Sequence, residues 1–200
     1  MHIKPASLLV IAPHVPAIAI GPINAAIERM FAPEAAGFVS TILVESDQCR
    51  RLEENLNYSA EALIRMWPKR FDSMTAIALA RKPADIANYV YGDRMGNTHH
   101  GDGWRYRGRG YMQITGHDNY AAIGKSLGLP LEEQPDLLLQ PPIAMRAALA
   151  YWRGHKLGAL CPWRNKPSQP WRELCVAVNG GTHGLALRAA YAQSLLEVLV

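Results

Sequence analysis

Two glutamates nine positions apart, Glu45 and Glu54, are the side chains best suited to do chemistry in this 200-residue chain. Glu45 falls on a predicted helix over 33–49, within about 20° of a phenylalanine seven positions earlier on the helical wheel. A carboxyl at the edge of an apolar stripe loses hydration and can remain protonated near neutral pH, as a proton donor must. The alternative for Glu45 is a solvated helix end that pairs with Arg50 or Arg51.

Glu54 lies in a polar stretch, Glu53 to Ser59, with too many Asn and Ser residues for a helix interior. We expect a loop in which the Glu54 carboxylate is hydrated, stays ionised and polarises a water. One protonated acid and one ionised base are what glycoside hydrolysis requires. Taken alone, the two glutamates do not establish this chemistry, because most such pairs are ordinary solvated charges.

Three arginines alternate with other residues in the segment from Trp104 to Tyr111, namely Arg105, Arg107 and Arg109. In an extended chain this spacing would place all three on one side. A nucleic-acid-binding protein would use them on phosphates and the aromatic residues on bases. Two other interpretations remain: arginines that orient buried carboxylates, with glycines allowing close backbone approach, or arginines solvated on a strand edge.

The composition predicts a soluble globular chain with one domain, because 49% of the residues are hydrophobic and 19% are charged. The net charge of +4 is too small to indicate a nucleic-acid partner by itself, although it suits an anionic polymer. Three cysteines with no CxxC spacing predict neither a disulfide framework nor a metal site, and they favour synthesis in a reducing compartment. An apolar run over Leu8–Ile20 is interrupted by prolines and is too short to span a bilayer.

The arrangement of prolines, caps and apolar residues predicts a mainly α fold. We expect a short strand at Tyr111–Thr115 and a surface loop from Leu157 to Gln169. The predicted helices span 33–49, Ser59 to about Met66, Thr75–Ala80, Pro83 to Gly92, Pro141 to about Tyr151, and Gly184–Leu199.

Several motifs, taken together and in order, resemble the family 19 glycoside hydrolases, and most closely the branch used as phage endolysins. The resemblance runs from about residue 20 to the C-terminus. The most specific string is Gly101-Asp102-Gly103-Trp104-Arg105-Tyr106-Arg107-Gly108-Arg109-Gly110, followed by Gln113-Ile114-Thr115-Gly116. The others are Glu45-Ser46, Glu54-Asn55-Leu56-Asn57-Tyr58-Ser59, Ile86-Ala87-Asn88 with Val90-Tyr91, Arg94-Met95-Gly96-Asn97, Asn119-Tyr120 and Val178-Asn179-Gly180-Gly181.

This resemblance implies a lysozyme-like α+β fold, a helical catalytic domain over 1–200 with a small β-element beside a substrate cleft and no separate wall-binding domain. It implies that Glu45 is the general acid, that Glu54 is the general base and that Thr115 holds the attacking water. No metal and no organic cofactor is implied. The remaining implied site residues bind sugar or organise the acid's surroundings: Tyr58, Gln113, Asn119 and Asn179 for the sugar, and Arg109 and Arg188 for the acid.

The chain departs from the family pattern beside the acid. Val44 precedes it where a histidine is usual, and Asp47 follows closely, which makes Asp47 a candidate third carboxylate. His183 stands where chitinases of the family carry a glutamate, four residues after the Asn of the Asn-Gly-Gly motif. These departures favour the endolysin branch over the chitinases.

The expected function is therefore hydrolysis of the β-1,4 bonds between amino sugars of peptidoglycan, with inversion. We expect a monomer that binds glycan strands, with no nucleic-acid partner and no stable membrane insertion. It would be made in the host cytoplasm and reach the wall with the help of a holin-type partner. The alternatives are a chitinase on the same fold, a thiol peptidase or amidase using Cys49 or Cys161, and a non-catalytic module that binds nucleic acid or the wall.

Overall fold

A computed structural model describes residues 1–161 and 171–200, and its architecture is mainly helical, as predicted. The chain divides into two compact units: the first comprises Met1–Leu52, Gly110–Met112 and Leu138–Val200, and the second Glu53–Arg109 and Gln113–Leu137. The α-helices found in the described residues are α1 (Pro5–Ile11), α2 (Ala17–Ile27), α3 (Ala32–Glu45), α4 (Ala60–Met66), α5 (Ser73–Leu79), α6 (Pro83–Tyr91), α7 (Asp102–Arg105), α8 (His117–Leu127), α9 (Pro141–Gly154), α10 (Arg172–Asn179) and α11 (Leu185–Val198).

Helix α3 forms the buried centre of the first unit and packs against α11 and α2. Its residues from Ala35 to Leu43 are all buried. Several are small, which lets neighbouring segments approach closely: a Cβ added at Gly37 would lie 2.5 Å from Cys161 Sγ. In the same unit, α1 and α10 pack against α11, and α9 packs against α2.

Helix α3 begins with Pro33 and Glu34 in its first turn, as predicted, but ends at Glu45 and not at Cys49. The chain then turns through three left-handed residues, Asp47, Gln48 and Cys49, at φ 51°, 57° and 66°. The amide of Gln48 donates to Leu43 O, which closes the turn. The sequence signals no stop here, because no glycine occupies these positions. Glu45 is consequently the last residue of the helix.

The second unit has its own buried cluster, beneath helices α4, α5 and α6. The predicted cap is confirmed, since the Ser59 hydroxyl accepts a hydrogen bond from the Ala62 amide at the start of α4. Pro83 opens α6, also as predicted. The cluster comprises Leu56, Leu63, Phe71, Ala76, Ile86, Ala87 and Val90.

The strand predicted at Tyr111–Thr115 is wrong. Residues 111–113 form a turn, with Gln113 at φ 49°, and β-structure in the described residues is limited to two isolated bridges. These bridges pair Glu53 with Arg109, and Arg109 with Ile114. Gly110, at φ 74°, starts the reversal that the alternating sequence pattern does not reveal.

The predicted loop at Leu157–Gln169 is wrong at its start, because Leu157–Leu160 is a 3-10 helix with Leu157 buried. The loop's residues from 162 onward lie outside the described residues. The closing helix is confirmed as α11, and α9 continues three residues beyond its predicted end. Within the described part of the chain, no helix has the length and apolar character needed to cross a membrane.

Candidate active site

Glu45, the predicted acid, is held in the first unit by an ion pair with Arg188 of α11. Arg188 Nη2 donates to Glu45 Oε1 at 2.6 Å. Arg188 is fully buried, whereas 22% of the Glu45 side chain is exposed. Glu45 therefore pairs with neither Arg50 nor Arg51. Its remaining surface can meet a ligand.

The ion pair leaves part of the Arg188 guanidinium unmatched. Nε and Nη1 of Arg188 are buried and have no hydrogen-bond partner among the described residues. A buried cation normally satisfies all its donors, because unpaired buried donors are costly. Arg188 thus meets one carboxylate, that of Glu45, in the described structure.

Tyr151 is a neighbour of Glu45 that the sequence did not indicate. Burial and then the Glu45 charge raise the pKa of Tyr151. Its ring stacks on His155 with the centroids 3.9 Å apart. Asp47, the candidate third carboxylate, instead forms an exposed ion pair with Arg50 at 2.8 Å.

Glu54, the predicted base, is fixed in the second unit by three hydrogen bonds. Its backbone amide donates to Gly108 O at 3.0 Å. Its Oε1 accepts from the Gly108 amide, and its Oε2 accepts from the Tyr91 hydroxyl at 2.7 Å. Burial and then the Glu54 charge raise the pKa of Tyr91, so this hydroxyl keeps its proton and remains a donor. Sequence reasoning gave Tyr91 no role, although it lies in one of the family-like motifs.

Gly108 lies against two side chains of the candidate site. A Cβ added there would lie 2.8 Å from Gln113 Oε1 and 3.2 Å from Glu54 Oε1. The structure therefore brings a predicted sugar-binding side chain and the predicted base to the same glycine.

Thr115 and Asn119 are linked in the turn that leads into α8. The Thr115 hydroxyl donates to Gln113 O at 2.9 Å, and the Asn119 amide donates to Thr115 O at 2.8 Å. Because the Thr115 hydroxyl proton is already engaged, its oxygen is free to accept a hydrogen bond from a water.

The three alternating arginines do not share one face. Arg105 donates to Glu132 O, while Arg107 forms an ion pair with Glu53 and lies 3.8 Å above the Trp104 ring. The expectation that all three lie on one side of an extended chain is therefore wrong, because α7 and the bridge at residue 109 replace that extended chain.

Arg109 is buried and pairs with Asp136 at 2.8 Å, and it donates to the Tyr120 hydroxyl at 3.0 Å. Asp136 is largely exposed, so the prediction of arginines that orient buried carboxylates fails for this pair. Arg109 instead supports the second unit's interior, where burial raises the pKa of Tyr120 to about 12.

The other two predicted sugar-binding residues lie in separate units. Tyr58, in the second unit, packs edge-on against Trp67 with the ring centroids 5.4 Å apart. Asn179, in the first, ends α10 and donates to His183 O at 3.0 Å. These contacts fix both side chains at partly or fully exposed positions.

The thiols are poorly suited to nucleophilic chemistry. Burial raises the pKa of both Cys49 and Cys161 to about 12, so the thiolate is scarce near neutral pH. This disfavours the peptidase and amidase alternative. Among the described residues, no group of three or more His, Cys, Asp and Glu side chains is placed to hold a metal ion.

Comparisons with known proteins connect this sequence to one enzyme family. Residues 77–168 match the family model described as chitinase class I. A glycosyl hydrolase family 19 domain-containing protein of Haemophilus influenzae is 38% identical over 166 residues, which cover 82% of this chain and 78% of that protein. An endochitinase of Arabidopsis thaliana is 47% identical over 51 residues, 25% of this chain and 18% of the endochitinase.

The fold is also shared with a solved structure. The crystal structure of chitinase C from Streptomyces griseus matches with a TM-score of 0.59 and 18% identity, covering 98% of this chain and 91% of that one. At this identity the likeness concerns the fold, and it agrees with the mainly helical, lysozyme-like architecture expected from the sequence.

Proposed function

The chain belongs to glycoside hydrolase family 19, and from that premise we propose that this glycoside hydrolase cuts the β-1,4 bonds between amino sugars of bacterial peptidoglycan, as phage endolysins do. Family membership supports hydrolysis of a glycosidic bond as the type of reaction. The choice of substrate rests on the surroundings of Glu45.

The observation that carries the proposal is the incomplete pairing of Arg188. Chitinases that this sequence resembles carry a glutamate where this chain has His183. The adjacent segment lies against the end of α3, since a Cβ added at Gly184 would be 3.0 Å from Val44 Cγ1. Among the described residues, Arg188 pairs with the carboxylate of Glu45, and its Nε and Nη1 have no partner. The histidine at position 183, together with the single carboxylate partner of Arg188, supports a substrate other than chitin.

The proposed mechanism is a single displacement with inversion. Glu45 protonates the leaving oxygen, and Glu54 takes a proton from a water that Thr115 helps to hold. The water attacks the anomeric carbon from the face opposite the leaving group. Tyr91 and the Gly108 amide orient Glu54, whereas Arg188 orients Glu45.

The proposal extends to where the protein acts. Synthesis in the host cytoplasm is supported by the three free, buried cysteines. Action on the wall would follow release through a holin-type partner, and the net charge of +4 favours contact with anionic wall polymers in a salt-dependent way. Expression in a bacterial cytoplasm should then lyse cells only after the inner membrane is permeabilised.

Product analysis tests the substrate. Purified peptidoglycan and colloidal chitin are digested side by side, and the soluble products are identified by mass spectrometry. We expect wall fragments with new amino-sugar reducing ends and little release from chitin. Efficient release from chitin alone would favour the second candidate, a chitinase, which is the activity named for the Arabidopsis relative.

A Glu45→Gln variant tests the assigned acid. The amide preserves the volume but cannot deliver a proton, so activity should fall by about 10² to 10⁴-fold. Glu197→Gln, an exposed change on α11, is the matched control and should keep full activity. If Glu45→Gln is folded by circular dichroism and retains more than about a tenth of the activity, Glu45 is not the acid.

A further inference from the structure

Helix α5 carries an apolar face that points away from the core of the second unit. Met74 and Ile77 are 83% and 71% exposed. They are three positions apart, so they lie on one side of the helix. The opposite side contributes Ala76 to the buried cluster, which packs without these two side chains.

Basic residues flank this apolar face at both ends of α5. Between residues 65 and 82 there are five Lys or Arg residues and one acid, a net charge of +4 that equals the net charge of the whole chain. The one acid, Asp72, caps α5 by accepting a hydrogen bond from the Thr75 amide. The five cations are Arg65, Lys69, Arg70, Arg81 and Lys82.

These cations are not consumed by ion pairs, although Arg81 Nη1 donates a hydrogen bond to Asn57 O at 3.1 Å. None of the five takes part in an ion pair with another described residue. A seven-residue helix is about 10 Å long, close to the Debye length at physiological ionic strength. The charges before and after α5 therefore act on one surface together with Met74 and Ile77.

A partly exposed aromatic residue extends the same surface. The Tyr89 hydroxyl donates to Arg70 O at 2.8 Å, and its ring lies 4.9 Å from Phe71, centroid to centroid. Met66, at the end of α4, is also exposed. Tyrosine beside cations and exposed aliphatic groups is the composition found where proteins meet a membrane interface.

We propose that α5 and its flanking cations form a docking surface for an anionic lipid bilayer, on which the protein lies without inserting a helix. The cations face lipid phosphates, while Met74 and Ile77 enter the boundary between headgroups and acyl chains. A purely anionic polymer would use the cations and gain nothing from the exposed aliphatic side chains. Their combination favours a membrane over such a polymer.

Co-sedimentation with lipid vesicles tests the surface directly. The full chain is mixed with vesicles of phosphatidylglycerol and phosphatidylethanolamine, or of phosphatidylcholine alone. We expect at least about tenfold stronger partitioning onto the anionic vesicles, with a loss at high salt. Equal binding to both vesicle types, or no binding to either, overturns the proposal.

Two double variants, each with two Lys→Glu changes, distinguish a requirement for the cations beside α5 from an effect of the overall net charge. Lys69→Glu with Lys82→Glu neutralises the segment and should weaken partitioning at least about twentyfold. Lys4→Glu with Lys125→Glu removes the same charge elsewhere and should weaken it far less. Equal losses would mean that binding follows overall charge and that α5 is not the docking surface.

The apolar requirement is tested in the same way. Met74→Gln with Ile77→Gln keeps residues that favour a helix and should weaken partitioning about tenfold. The control is Val10→Gln with Ile18→Gln, at residues 84% and 61% exposed in the first unit. Unchanged membrane binding by the α5 variant, together with undiminished binding to soluble polyphosphate, would identify an anionic polymer as the partner.

Two measurements keep these outcomes interpretable. Thermal unfolding followed by circular dichroism verifies that each variant is folded; should the Gln pair unfold, Met74→Ser alone replaces it. Hydrolysis of soluble glycan fragments should be unchanged in every variant, because none of the substituted residues belongs to the proposed catalytic machinery. A parallel loss of hydrolysis and lipid binding would contradict a separate docking surface.

Discussion

The two proposed catalytic carboxylates are held by different chemistry. Glu45 accepts from a buried guanidinium, whereas Glu54 accepts from a backbone amide and from a phenol whose raised pKa keeps its proton. A charged partner orients one side chain through an ion pair, and neutral donors orient the other through geometry alone. Both proposed catalytic side chains are therefore positioned by hydrogen bonds from residues of their own unit.

The role of Thr115 is predicted to depend on that of Glu54. The Thr115 hydroxyl donates to Gln113 O, so it can only accept a hydrogen bond from the water. We expect Thr115→Ser to keep most activity and Thr115→Ala to lose one to two orders of magnitude, because misplacing a nucleophile can cost about 10²-fold. Glu54→Gln should lose at least as much as Thr115→Ala.

A double-mutant cycle distinguishes a shared water from two independent roles. If both residues act on one water, Glu54→Gln combined with Thr115→Ala should lose clearly less activity than the product of the two single losses. Losses that multiply would assign Thr115 to substrate binding or to folding. Initial rates on a soluble oligosaccharide provide the measurement.

At the scale of elements, the isolated bridge between Glu53 and Arg109 brings Gly108 beside Glu54. A methyl group at residue 108 would overlap Gln113 Oε1 and press on Glu54 Oε1. Because these atoms are the ends of flexible side chains, we predict that Gly108→Ala displaces them, lowering kcat at least about tenfold with little effect on the stability of the fold. Gly154→Ala is the control, since a Cβ there meets nothing within 4 Å. Wild-type kcat in Gly108→Ala would show that Glu54 tolerates displacement or is not the base.

The sequence predicts those elements whose boundaries carry local signals. Ser59 and Pro83 mark helix starts through their own chemistry, and both starts are found where expected. The end of α3 has no such signal, because residues 47–49 adopt left-handed φ without a glycine. Tertiary packing of the fully buried helix decides that boundary, and a window of local sequence does not contain it.

The sequence motifs predict which residues belong to the candidate site, but they do not predict which side chains contact one another there. The family-like strings indicate Glu45, Glu54 and Thr115 as candidates. The Tyr91 hydroxyl reaches Glu54 across 37 positions in sequence, and Arg188 reaches Glu45 across 143. Composition and spacing do not encode such distances, so only the fold reveals Tyr91 as a partner of the proposed base.

At the scale of the whole molecule, both units bury groups that ionise only in alkaline solution. Burial raises the pKa of Cys49 and Cys161 to about 12 in the first unit, and that of Tyr120 to about 12 in the second. The ordinary value for the thiols is 9.0. The folded protein therefore holds protons that the unfolded chain releases between about pH 9 and 12.

This difference predicts a loss of stability in alkaline solution, since the unfolded chain binds fewer protons in that range and the free energy of unfolding must fall as pH rises. The stabilisation is fully present below about pH 9. Above that pH, each group that is ionised in the unfolded chain but still protonated in the folded protein lowers the free energy of unfolding by about 1.4 kcal/mol per pH unit. Urea midpoints should be level from pH 7.5 to 8.5 and lower at pH 9.5 and 10.5.

Cys49→Ala with Cys161→Ala should make this decline less steep, because two of the titrating groups are gone. An unaltered slope in that variant would assign the alkaline transition to the buried tyrosines, and a wild-type midpoint that stays constant to pH 10.5 would contradict the burial of all these groups.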